Sequence, residues 1–131
     1  DASGWCPVNS LSFESRLQPK IHVIGDAAIA APMPKSAFAA NAQAKVCAIA
    51  LARLFRGMQP QSTLLANTCY SYLEPDSAIS ISGAYRTQDG QFASIAAAAG
   101  ASPLIPPEGL QAQEALHAAD WFRAISQETF G

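Results

Sequence analysis

The chain has 131 residues, half of them apolar and only 14% charged, with a net charge of −2. That length suffices for one modest core, but no basic run supports nucleic-acid binding and no apolar stretch approaches the roughly 20 residues of a membrane-spanning helix. So few charges on a small chain imply that much of its surface meets other protein, as a fragment, an obligate oligomer or a subunit.

Residues 1–19 read as a loop or a fragment of a strand, punctuated by Gly4, Pro7 and Pro19. The run from Ile21 to Asp26 is β-branched and ends in Gly-Asp, which predicts a buried strand stopping at a turn. A small-residue loop follows to Met33. Pro34-Lys35-Ser36 opens a helix predicted to reach about Arg56, with Gly57 as its terminator. Its many alanines suit a helix buried between a sheet and a further layer.

Residues 58–66 are a linker. Thr68 to Leu73 is rich in β-formers and predicts a strand, and Glu74 to Ser77 a turn. Ala78 to Arg86 alternates with period two, Asp89-Gly90 makes a hairpin turn, and Phe92 to Ala99 is the return strand. After a proline-containing loop, Glu108 to Gln127 predicts a helix with Leu110, Ala115, Leu116, Ala119, Phe122 and Ile125 as its apolar stripe. The fold class expected is α+β: one edge strand and a long helix of a nucleotide-binding α/β domain, then a small antiparallel sheet and a C-terminal helix. The expected domains are residues 1–57 and 58–131.

The chemistry-bearing pattern is the Gly25-Asp26 corner, followed nine residues after Asp26 by Lys35 at a helix start. A strand ending in Gly-Asp puts a carboxylate at the carboxyl edge of a sheet, where open α/β sheets bind ligands. A helix start offers N–H groups and a positive dipole end. Read from the residues alone, Asp26 is a turn residue and Pro34 a helix opener, because short strand–Gly–Asp patterns are common. Cys47 and Cys69 then read as small buried apolar side chains, Cys6 as structural, and Trp121 as core. The three cysteines with His22 and His117 show no metal-ligand spacing, so no metal site is predicted.

The segment from Ile21 to Gly57 resembles the second FAD-binding signature of glutathione-reductase-like flavoproteins. More narrowly, GWCPVNSLSFES, the NTCYS segment at Asn67–Ser71 and the closing DWFRAISQETFG resemble the C-terminal part of flavocytochrome c sulfide dehydrogenase flavoprotein subunits. The resemblance implies that Asp26 contacts the ribityl or phosphate side of FAD. It implies that Pro34, Lys35 and Ser36 form the helix start beneath the flavin's pyrimidine edge. It also makes Cys69 one half of a redox-active disulfide and sets Trp121 close to the isoalloxazine ring. The activity implied is two-electron oxidation of sulfide, with electrons passing singly to a c-type cytochrome subunit in the periplasm.

No GxGxxG fingerprint occurs. The chain therefore reads as roughly one third of a subunit, inactive alone and lacking FAD unless the N-terminal part of the same subunit is present. The partner cysteine of Cys69 is, on the same resemblance, outside this sequence. Self-association is expected from the low charge and the incomplete sheet. The alternatives are a non-catalytic dimerisation or subunit-docking module, or part of a related sulfide:quinone or NADH-linked flavoprotein.

Overall fold

The computed structural model describes residues 2–131. The protein is α+β, as predicted, with two α-helices, a two-stranded parallel sheet and a four-stranded antiparallel sheet. In chain order the elements are β1 (Cys6–Pro7), β2 (Ala28–Ile29), α1 (Ala37–Leu54), β3 (Leu65–Glu74), β4 (Ser77–Gln88), β5 (Gln91–Ser94), β6 (Gly100–Ala101) and α2 (Leu110–Phe130). Short 3-10 turns at Gly25–Ala27 and Ala96–Ala98 complete them. The backbone divides into two compact units, Asp1–Asn67 with Gly83–Ala99, and Thr68–Ser82 with Gly100–Gly131. β3 and β4 each contribute residues to both.

The first unit has a bulky core. Val8, Phe13, Met33, Val46, Leu65, Tyr85 and Phe92 are buried together, and the rings of Phe13 and Phe92 lie 5.3 Å apart. Phe13 is fully buried although its φ is 59°. A left-handed backbone at such a residue costs on the order of 1–3 kcal/mol, which burial of the ring offsets. Polar ties hold the N-terminal loop to the β4–β5 hairpin. Thr87 Oγ1 donates to Ser10 O (3.0 Å), and Arg16 donates to Val8 O (3.0 Å) and Gly90 O (3.2 Å). The hairpin turn forms at Asp89-Gly90, both with positive φ, as its sequence demands.

α1 starts later than expected. Ser36, not Pro34, is its N-cap, and the Ser36 hydroxyl accepts from Ala39 N. Gly57 does end the helix: Gly57 N and Met58 N donate to Leu54 O and Arg53 O, each at 2.9 Å, the paired bonds of a Schellman cap. The helix is not covered on several sides. Ala39, Gln43, Val46, Cys47 and Ala50 form one buried stripe, while Ile49 is 53% exposed.

The segment from Ile21 to Asp26 is not a buried strand. It is extended chain only over residues 21–24, with a single bridge between His22 and Glu14, before the 3-10 turn begins at Gly25, and Ile21 and Ile24 are exposed. Its backbone bonds go to the N-terminal loop, with Val23 N donating to Phe13 O (2.9 Å) and Ser15 N to Ile21 O (2.7 Å). A β-branched run becomes a sheet strand only when a neighbour pairs along it. Here the parallel pair is instead Cys6 with Ala28 and Pro7 with Ile29.

In the second unit, Ser102 N donates to Ser80 O (2.9 Å), and Ser102 Oγ accepts from Ser80 N (2.8 Å). The same hydroxyl donates to Glu114 Oε1 on α2 (3.1 Å). The return strand predicted to run to Ala99 stops at Ser94, and a 3-10 turn leads into β6, which pairs with β4. The predicted stripe of α2 is only partly correct. Ala115 and Ala118 are buried, whereas Leu116 and Phe122 are each 65% exposed.

Candidate functional site

The Gly25-Asp26 corner and the start of α1 line one cleft in the first unit, with about 120 Å³ of open volume. The corner is a 3-10 turn that begins with Gly25 at φ 69°. A side chain at that φ would be strained, so glycine suits the corner for its backbone conformation, while an added Cβ would meet Ala40 Cβ only at an ordinary 3.5 Å. Gly25 N donates to Gln43 Oε1 at 2.7 Å. Gln43 is buried, and its Nε2 donates to Met33 Sδ (3.4 Å).

Asp26 is exposed, and among the described residues its carboxylate makes no hydrogen bond or ion pair. Its backbone, by contrast, is held: Lys35 Nζ donates to Asp26 O and to Ala28 O (3.0 Å). The same ammonium sits 4.0 Å from the centre of the Trp5 ring, a favourable cation–π placement. Lys35 is thus committed to the corner's own carbonyls. Ser36 is committed as well, since its hydroxyl accepts from Ala39 N (3.0 Å) and donates to Asn67 Oδ1. Asn67 is 2% exposed, one of the three largest fully buried side chains. Pro34 lines the cleft and is exposed.

Cys69 and Trp121 belong to the second unit, Cys69 half-buried on β3 and Trp121 half-buried on α2. Beside Cys69, Tyr70 has its phenol pushed above its ordinary range, first by burial and then by the Glu114 carboxylate. Cys47 lies on the buried stripe of α1, where burial pushes its thiol up from the ordinary 9.0. Cys6 Sγ donates to Ser15 Oγ (3.3 Å). None of these cysteines is in a disulfide. Among the described residues no cluster of His, Cys, Asp and Glu could hold a metal ion, and no helix is long and apolar enough to cross a membrane.

The structure therefore brings Asp26, Pro34, Lys35 and Ser36 to one cleft. Sequence reasoning missed Trp5, Gln43 and Asn67. A signal for Gln43 was available: it lies four residues after Ala39 and three before Val46, on a stripe otherwise apolar. Asn67 similarly shares a strand face with Leu65. Trp5 carried no local pattern.

The donor set suits a flavin. An exposed carboxylate on a pinned backbone accepts from hydroxyl groups, and a helix start beside it presents a positive dipole end. About 120 Å³ is well below the roughly 300 Å³ at which small-molecule pockets begin. These residues can line one side of a flavin but do not enclose it.

A family model described as "Flavocytochrome c sulphide dehydrogenase, flavin-binding" matches residues 61–130, just over half of the chain, a stretch that contains Cys69 and Trp121. The chain belongs to the flavocytochrome c sulphide dehydrogenase flavin-binding family.

Proposed function

We propose that this chain contributes one wall of the flavin site, one redox cysteine and a subunit interface to an FAD-dependent sulfide:cytochrome c oxidoreductase. The observation that carries the reading is the family match over residues 61–130, because that span includes Cys69. The family setting supports a periplasmic protein with a c-type cytochrome as electron acceptor.

The flavin, when bound, accepts two electrons together and releases them singly to a haem. The remaining work falls to side chains. Asp26 accepts a hydrogen bond from the hydroxylated chain of the cofactor, and the amino end of α1 after Pro34 faces its electron-rich edge. Lys35 and Ser36 act through the backbone they hold. Trp121 packs beside the ring. Cys69 supplies one sulfur of a disulfide whose other half, by the family resemblance, is not among these residues.

Hydrosulfide attack on that disulfide forms one S–S bond as another breaks. It leaves a persulfide, which keeps the proton, on one cysteine and a thiolate on the other. With a bound flavin as the two-electron acceptor, the electron pair would leave as that thiolate bonds to the outer sulfur of the persulfide and the persulfide proton is released. A half-buried sulfur is reachable by so small an anion.

The test uses the flavoprotein that carries this chain. Cys69→Ser should keep the yellow flavin absorbance and lose sulfide-dependent bleaching by at least about 100-fold. Bleaching at the wild-type rate would remove Cys69 from the mechanism. The chain by itself should not bind FAD in a fluorescence titration, and saturable binding by it alone would sink the one-wall reading.

A second reading, a non-catalytic docking module, is favoured by the exposed Leu73, Ile81, Leu116 and Phe122 of the second unit. It predicts that Cys69→Ser leaves sulfide-dependent reduction intact and that only substitutions at those apolar side chains alter activity.

A further inference from the structure

We infer that Gln43 is a positioning residue for Asp26, fixing the corner from which the carboxylate projects; the inference rests on the reading that Asp26 meets the flavin. The Gly25 amide donates to Gln43 Oε1 at 2.7 Å. Gly25 O accepts from Ala28 N within the 3-10 turn, and Asp26 O is taken by Lys35 Nζ. The peptide unit that follows the Asp26 side chain is therefore anchored to the residue before the cap of α1, and the Ile24–Gly25 unit, one removed from that side chain, to the body of the helix. Gly25 also stands so near Ala40 that an added Cβ would reach ordinary contact at 3.5 Å.

Gln43 itself cannot swing away. It is 3% exposed, and its Nε2 donates to Met33 Sδ. A buried amide on an otherwise apolar stripe is costly unless satisfied, and here its acceptor is spent on one backbone N–H. The outcome is an exposed carboxylate on a backbone tethered by hydrogen bonds. Such preorganisation lets a ligand meet the acceptor without ordering the loop first.

The test is made on the flavin-loaded protein that carries this chain, with three substitutions. Gln43→Met keeps length and volume but removes the oxygen acceptor. Gln43→Glu retains an oxygen at the same reach. Asp26→Asn probes the carboxylate directly. In Gln43→Met the Gly25 amide should exchange with solvent about tenfold faster, the change expected when one buried hydrogen bond is lost. The visible circular dichroism bands of the flavin should move in Asp26→Asn and move in the same direction in Gln43→Met. Gln43→Glu should resemble the wild type in both measurements.

If Asp26→Asn moves the bands and Gln43→Met does not, the positioning role is overturned while the Asp26 reading stands. If Asp26→Asn leaves the bands unmoved, that reading falls and takes the inference with it. Should Gln43→Glu behave like Gln43→Met, the acceptor is not what matters, and the inference also fails. If Gln43→Met does not fold, Gln43→Asn, too short to reach Gly25, carries the same comparison.

Discussion

The two units of this chain are stabilised in different ways. The first buries Phe13, Leu65, Tyr85 and Phe92 in a core of its own. The second, by contrast, has only Ala78, Ala115 and Ala118 buried, while Leu73, Ile81, Leu116 and Phe122 are more than half exposed. Full burial of one large apolar side chain contributes about 1.5–3 kcal/mol, and an alanine methyl contributes far less. The first unit thus buries more large apolar side chains completely than the second, where Tyr70, Ile79, Leu110, Trp121 and Ile125 are only half-buried. The second is held by β pairing and by polar links, such as Tyr72 Oη donating to Ala115 O (3.0 Å) and the Ser102–Glu114 bond. Its large apolar side chains are available for association. The contrast places the candidate acceptor carboxylate in the unit with the bulky core, and Cys69 and Trp121 in the unit whose fully buried side chains are small.

The sharpest way to break this comparison is Phe13→Ala. It should cost about 3–5 kcal/mol, read as a lower denaturation midpoint with an unchanged slope. A loss under about 1 kcal/mol would mean that the first unit does not depend on its core. Next in size is Ser36→Ala. It removes the cap on Ala39 N and the hydroxyl donor to Asn67, for an expected cost of about 1–2 kcal/mol in the same unfolding experiment. A cost near zero would show that α1 is held by its buried stripe alone.

In the second unit the expectation reverses. Leu116→Ser with Phe122→Ser should change stability by no more than about 0.5 kcal/mol per site, yet lower the average mass in light scattering at high concentration. A wild-type chain that is already monomeric there would remove the basis for an apolar association surface.

The smallest effect concerns pH. Burial raises the Cys47 thiol above its ordinary value of 9.0, so the folded chain holds this proton at pH values where the unfolded chain releases it. Its contribution is complete below the unfolded value and is lost as pH rises through the folded one. Cys47→Ala should accordingly flatten the fall in stability above about pH 9, measured by urea titration across alkaline pH. An unchanged slope would mean that the thiol reaches solvent in the folded state.

Local chemistry made much of the fold legible. The Asp89-Gly90 hairpin, the Gly57 cap and both helices follow from turn residues and period, and each depends on groups within a few positions of one another. The site was legible as a set of residues, Asp26 with Pro34 to Ser36, because a Gly-Asp corner and a helix start are local motifs. What each side chain does there was not. Lys35 and Ser36 look ligand-facing in sequence, yet one bridges Asp26 O and Ala28 O and the other bonds Asn67, 31 residues away.

By itself, then, the sequence determined the α+β class, the turns and the family, because these reside in local conformational preference and in family-specific segments. Only the tertiary structure decided that the Ile21–Asp26 run is not a strand, that Leu116 and Phe122 face outward, and that two buried amides, Gln43 and Asn67, brace the cleft. The physical reason is shared by all three. A strand needs a neighbour for its backbone, an apolar stripe needs a surface against it, and a buried amide needs a partner brought from elsewhere in the chain.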